Sequence, residues 1–339
     1  MARILPSLIA LAIAFAIGGA LVAATGGSPA LAFRALFEGA FGSAQGWSEV
    51  GVKTCPLLLL GIAVAIPFRA GIWNIGAEGQ LLAGAVAMAW VGSRPPAAPG
   101  WIAMTIGLLA AAAAGGAWVA LAAFLRIRRS VSEVISTIML NFIALGLVSY
   151  LVHGPLMESA GAYPQTDAVD AAMRLPRLFG TYRVHAGLLI GLAAAAAAWV
   201  LLFRSVFGYQ IRAVGLNPVA ARLAGIPIER SVVAALVLSG ALAGVAGAVE
   251  VSAVTFRVYE KLSPGWGFTA IAVALLGRLH PGGIVLAALF FGALDAGASS
   301  MQRAAGVSSV LVSILQATII FALLAVERRS RVAAPADDG

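Results

Sequence analysis

The sequence predicts an all-α fold, a polytopic membrane bundle of about ten transmembrane helices, some of them short or broken. Three observations carry this. Only 11% of the 339 residues are charged, against about 25% in a soluble globular domain. The apolar share is 61% before the 39 glycines are counted, too much for a fold that must cover itself with polar surface. The apolar residues also gather into runs close to the roughly 20 residues a helix needs to cross a bilayer core. One transmembrane domain over residues 1–339 accommodates all of them.

The first run, about 6–24, follows Arg3 and precedes Ser28-Pro29-Ala30-Leu31-Ala32, small residues of the kind found at signal-peptidase sites. It is longer than the roughly 7–15 residues of a signal h-region, so it is read as a retained first span. The remaining runs lie at about 54–68, 77–91, 101–125, 134–152, 184–203, 231–251, 267–279, 284–299 and 307–326. Those at 54–68, 77–91 and 267–279 are short and flanked by Gly or Pro, as broken helices are. Threading the chain with its N-terminus inside places more than half of its 22 basic side chains in the cytoplasm, including Arg126, Arg128 and Arg129 and the terminal Arg328, Arg329 and Arg331. By the positive-inside rule both termini are then cytoplasmic in a cell inner membrane, with a polar tail over 327–339.

The net charge of +8 is spread in short clusters between apolar runs, which suits topology signals and not the continuous basic patch of a nucleic-acid binder. A single cysteine, Cys55, excludes a disulfide framework and a cysteine metal cluster. Neither Lys53 nor Lys261 follows the glycine pattern of a phosphate-binding loop, so ATP has no site in this chain. Hydrolase and zinc-protease motifs are missing from the sequence as well, and it is not read as an enzyme. Glu78, Glu250 and Asp295 are too few, beside Glu133, for the acid relay of a proton pump.

Two loops are long. The outer one, about 154–183, is long enough to hold structure and carries Glu158, Asp167, Asp170 and several prolines; it is a polar extracytoplasmic cap that either faces a partner or is simply solvated, the latter being preferred. The inner one, about 204–230, contains Gly215-Leu216-Asn217-Pro218, where Asn217 suits a helix cap and Pro218 a first turn. A short helix through Ala220, Ala221 and Arg222 would end at Gly225. Such a helix either docks a cytoplasmic partner or merely connects spans along the membrane surface.

Polar residues inside apolar runs mark the remaining candidates. Asn74, Glu78 and Gln80 stand in a glycine-rich stretch between two short runs, and irregular backbone at that depth must be buried in protein or line a cavity. They are candidates for a substrate pathway, with Glu78 alternatively a carboxyl that locks helices together. Thr137 and Asn141, four apart, share one helix face and would contact substrate or bond between helices. Ser130-Val131-Ser132-Glu133 fits a capping box, Gly240 and Gly244 form a close-packing face, and Asp295 and Gln316 are late intramembrane polar residues of open role.

Taken in order, the stretch 74–80 (Asn-Ile-Gly-Ala-Glu-Gly-Gln), the stretch 137–141 (Thr-Ile-Met-Leu-Asn) and the stretch 272–278 (Ala-Val-Ala-Leu-Leu-Gly-Arg) resemble the permease subunits of ABC importers for simple sugars, nucleosides and branched-chain amino acids. The likeness runs over about 54–326 and is greatest to the nucleoside and simple-sugar branch. It implies a helical permease that works with cytoplasmic ABC ATPase subunits, a second related permease or a second copy of itself, and an extracytoplasmic solute-binding protein. No cofactor would be bound by this chain, ATP being held by the partner ATPases. The segment Gly215 to Gly225 would then be the ATPase-coupling helix, and Asn74, Glu78, Gln80, Thr137 and Asn141 the pathway candidates. Outside that family, a stand-alone ion- or proton-coupled carrier accounts equally well for the lack of an ATP site.

Overall fold

The computed structural model describes residues 5–308 and 310–332, and every regular element among them is helical. Arg3, the tail beyond Val332 and the side chains of Arg328, Arg329 and Arg331 lie outside the described structure. The chain forms two compact units, one from residues 1–54 with 289–339 and the other from residues 55–288.

In the first unit, α1 (Leu5–Ala24) and α2 (Pro29–Phe41) form a bent pair. Gly26 takes a left-handed turn at φ +79°, the Ser28 hydroxyl accepts from Leu31 N–H, and α2 departs at 120° to the preceding helix. Phe15 fixes the bend, its ring 5.3 Å from Phe33 and 6.2 Å from Phe37. The unit is completed by the start of α3 (Ala44–Arg69), the end of α12 (Pro281–Ala305) and α13 (Val310–Val332), which packs on α1. Backbones come close here, since a Cβ on Gly297 would overlap the Leu36 carbonyl and one on Gly39 the Ser300 side chain.

The second unit is built on α4 (Ala77–Gly92), α5 (Gly100–Arg129) and α10 (Ile228–Glu250). The Gly240/Gly244 face is a true seam. A Cβ on Gly244 would overlap the Ala111 carbonyl, one on Gly240 the Gly115 carbonyl, and one on Gly84 the Gly244 backbone. Around this trio stand α6 (Glu133–His153), α7 (Gly187–Arg204), α8 (Val206–Leu216), α9 (Pro218–Leu223) and α11 (Trp266–Leu276). The apolar window of α3 is 94% buried, whereas those of α6 and α7 are 33% and 28% buried. A helix apolar on every side belongs in the interior; α6 and α7 leave most of their apolar windows exposed.

Among the described residues six helices are long and apolar enough to cross a membrane, seven if the bent pair counts as one span. Of the ten apolar runs, those at 77–91 and 267–279 lie in helices shorter than a full span, α4 with 16 residues and α11 with 11. The run at 54–68 is in fact the end of a 26-residue helix whose first turns carry Gln45, Glu49 and Lys53 and so look polar in sequence.

Three further expectations change. The capping box does not form: Ser130 is left-handed at φ 54° and ends α5, Ser132 makes no side-chain cap bond, and Glu133 pairs instead with Arg126. Two charges facing each other across a tight corner outcompete a weak backbone cap. Residues 206–216 are helix, so Gly215 and Leu216 close α8 and the turn narrows to Asn217. The outer loop is folded, not merely solvated. Thr166 and Val169 donate backbone bonds to Val258 and Phe256, Arg174 lies 4.5 Å over the Phe256 ring, and Arg257 reaches Glu158 at 2.5 Å.

Candidate functional site

Between α3 and α4 the chain leaves the helix in a turn at 70–71 and runs irregular over residues 72–76. Pro67 lies in the last turn of α3, and its carbonyl accepts from Ile72 N–H while Gly71 turns left-handed at φ +74°. The freed backbone groups of this break must find partners, because no water competes for them at membrane depth. The polar side chains picked out in sequence supply those partners.

Asn74, fully buried, makes a reciprocal amide pair with Gln80, donating to Oε1 at 3.1 Å and accepting from Nε2 at 2.9 Å. It also donates to Ser239 Oγ on α10 and accepts from Gly76 N–H, both at 2.9 Å. Asn141 on α6 spans the break, donating to the Ile75 carbonyl and accepting from Gly79 N–H, each at 2.9 Å. Thr137 accepts from Ile75 N–H at 3.3 Å while its own hydroxyl bonds the Glu133 carbonyl at 2.6 Å. Gly76 and Gly79 are needed for closeness, since Cβ atoms there would sit 3.0 Å from Thr137 Cβ and from the Leu140 carbonyl.

Glu78 has a different task. Its Oε2 accepts from Gly267 N–H at 2.7 Å, at the start of α11. It lies in the first turn of α4 and its carboxyl reaches the first turn of α11, so it sits at the positive ends of two helices. A Cβ on Gly267 would overlap the Glu78 backbone, so the two helix starts are in contact.

All five pathway candidates are therefore buried, and each is hydrogen-bonded inside the second unit. The structure joins four of them directly around the chain break and puts Glu78 beside them at the start of α11. Sequence reasoning missed Ser239, the Trp118 indole that donates to the Leu140 carbonyl at 3.3 Å, and Ser263, whose hydroxyl accepts from Gly265 and Trp266 N–H. Ser239 was findable: it is a hydroxyl beside Gly240 on the close-packed face.

The inner loop is equally defined. Ser205 caps α8 and Asn217 caps α9, its Oδ1 accepting from Val219 and Ala220 N–H at 3.0 Å each. Pro218 takes the first position and Gly225, at φ +77°, ends the element. Ala221 is buried, while Ala220 and Arg222 are exposed. So are three large apolar side chains, Leu216 at 87%, Val219 at 69% and Leu223 at 86%. Gly215 is pressed against the end of α3, where a Cβ would overlap the Arg69 carbonyl. Arg69 in turn donates to the Leu279 carbonyl at 2.6 Å, and Arg69 and Arg212 flank the Phe203 ring. The capped loop thus abuts the residue that leads into the helix break.

Residues 47–324 match the family model described as branched-chain amino acid transport system, permease component. A glucose ABC transporter permease protein of Haloferax volcanii is 38% identical over 94% of this chain and 87% of its own length. A guanosine ABC transporter permease protein of Bacillus subtilis is 37% identical over 94% and 92%, and a nucleoside ABC transporter permease protein of Lactococcus lactis 32% over 94% and 90%. No solved structure is a significant match to the chain. The chain belongs to this permease family, and is a multi-pass membrane permease subunit of an ABC transporter.

Proposed function

We propose that the chain forms part of the translocation pathway for a simple sugar or a nucleoside, as an import subunit without catalytic chemistry of its own. The substrate class rests on the relatives named for glucose, guanosine and nucleosides. ATP would be hydrolysed by cytoplasmic ABC ATPase subunits, with a second related permease or a second copy of this chain beside it and an extracytoplasmic solute-binding protein delivering substrate. The membrane is the cell inner membrane, with both termini cytoplasmic, in keeping with the basic residues between spans.

One observation carries the coupling role: the exposed Leu216 at the end of α8, with Val219 and Leu223 on the capped α9 that follows, backed by Gly215 against Arg69. Exposed apolar residues clustered on one short element mark a protein interface. Movement of α9 with a docked ATPase would press on the end of α3 and hence on the break at 72–76. Asn74, Gln80, Thr137 and Asn141 hold that break as one body bordering the pathway, and Glu78 ties it to α11, which is alternating access by rigid elements.

The test is affinity purification of the tagged chain in mild detergent from its own host. Wild type should bring down a nucleotide-hydrolysing subunit and a second permease. The double substitution Leu216→Glu and Leu223→Glu should lose the ATPase while keeping the second permease. Retention of the ATPase by the double variant counts against α9 as its docking site.

A further inference from the structure

The first unit contains a polar cavity that the network at the helix break does not include. It has a volume of about 720 Å³ and lies against α2, the start of α3 and the end of α12, within the roughly 300–1,000 Å³ of small-molecule sites. Glu38, Glu49 and Asp295 face it together with Lys53 and Arg303, and Gln45, Ser43, Ser299 and Ser300 add amide and hydroxyl groups. Among the described residues, no apolar side chain larger than alanine lines it.

Three features decide what such a cavity takes. First, α3 and α12 are both membrane-span candidates, and charged groups on spans are costly unless they pair or face an aqueous pathway. Second, the charges are of both signs and nearly balanced, with Lys53 within electrostatic reach of Asp295. That composition favours neither an anion nor a dication. Third, the lack of any leucine, isoleucine, valine or aromatic wall leaves nothing to hold a branched aliphatic side chain or to stack a base. What remains is an array of acceptors and donors, which suits vicinal hydroxyl groups. Asp295 is held ready by Gln316, whose Nε2 donates to Oδ1 at 2.7 Å and leaves Oδ2 free of that bond.

We propose that this cavity is a binding site for the polyhydroxylated ring of the transported solute, either a free hexose or the ribose of a nucleoside, with Asp295, Glu49 and Lys53 bonding its hydroxyls. The inference rests on the import reading above and sharpens it, because it excludes leucine-like substrates and assigns the solute to residues outside the break.

The experiment reconstitutes the complete importer in liposomes with its solute-binding protein and ATPase, and measures uptake of labelled glucose, guanosine and leucine. Whichever of the first two wild type carries identifies the source of the ring. Asp295→Asn keeps the shape of the side chain and its bond to Gln316, and should raise KM about tenfold or more, as expected for a lost bond to a charged acceptor. Ser299→Trp, placed at an exposed position, should fill the cavity and lower uptake by at least a similar factor while the complex still assembles. Unchanged KM in Asp295→Asn together with unchanged uptake in Ser299→Trp overturns the cavity assignment and leaves the import reading standing. Loss of the second permease from Ser299→Trp, with wild-type KM in Asp295→Asn, makes the cavity a subunit interface and also overturns it. Uptake of leucine alone overturns both readings.

Discussion

Two groups of polar side chains lie among the apolar helices of this permease, and they differ in where their hydrogen bonds end. Around Asn74, Gln80 and Asn141 the bonds close on one another and on the backbone of the helix break. Asp295, Glu49 and Lys53 line a cavity, with Asp295 accepting from Gln316 and Glu49 from Gln45. Buried polar groups in a low-dielectric setting need partners, so the closed group is best understood as scaffold. The cavity group keeps polar surface that solvent or solute can also reach.

The comparison can be broken most forcefully at the scaffold. Gly244→Leu would drive a side chain into the Ala111 carbonyl, whereas a Cβ on Gly146 meets nothing within 4 Å. Overpacking typically costs about 1–3 kcal/mol even where side chains can yield, and backbone cannot, so Gly244→Leu should abolish the monodisperse peak in detergent chromatography while Gly146→Leu keeps it. Asn141→Ala comes next. It leaves the Gly79 N–H and the Ile75 carbonyl unpaired, at about 1–3 kcal/mol each. The melting temperature should fall clearly, while KM of the surviving protein stays within about twofold of wild type, the reverse of Asp295→Asn. A raised KM with unchanged melting would move Asn141 from scaffold to substrate contact. Asn217→Ala should cost about 1 kcal/mol, confined to α9. Faster amide exchange at Val219 and Ala220 with little change in global melting is the expected result.

Acid should act last and on the outer loop alone. Bonds from Gln165, Tyr163 N–H and Arg257 hold Glu158 below the usual carboxylate range. The stability they contribute is complete above the unfolded value of about 4.3 and is lost as pH falls through the lower, folded one. Burial brings His185 down to about 4, with Arg183 adding to the effect. Its Nδ1 accepts from Gly187 N–H at 3.2 Å. Since the unfolded imidazole takes up its proton near 6.5, loosening should begin below that pH and deepen toward 4. Protease nicking within 154–183, followed from pH 7 to 4, measures it.

The helical membrane fold was legible because composition and run length depend on local sequence alone. The Asn217 cap and the stop at Gly225 were legible for the same reason: each needs only its immediate neighbours. Asn74, Gln80, Thr137 and Asn141 stood out as polar residues in apolar runs. What joins them, Asn141 bridging Ile75 and Gly79 from another helix, is a contact over more than 60 positions that no local pattern encodes. The capping box misled because its short pattern took no account of Arg126 across the corner. The polar cavity escaped because its residues come from distant segments, with Gln45, Glu49 and Lys53 ahead of the apolar run at 54–68 and Asp295 far along the chain.

The glycine seam bears on how such a subunit can move at all. Where α10 touches α4 and α5 backbone to backbone, few side chains remain that could change rotamer, and small sliding has little lubricating layer. The trio must travel as a single strut, so pairs of distance probes on α4 and α10 should read the same value throughout a transport cycle, and any change of shape is left to the joints at the strut's margins.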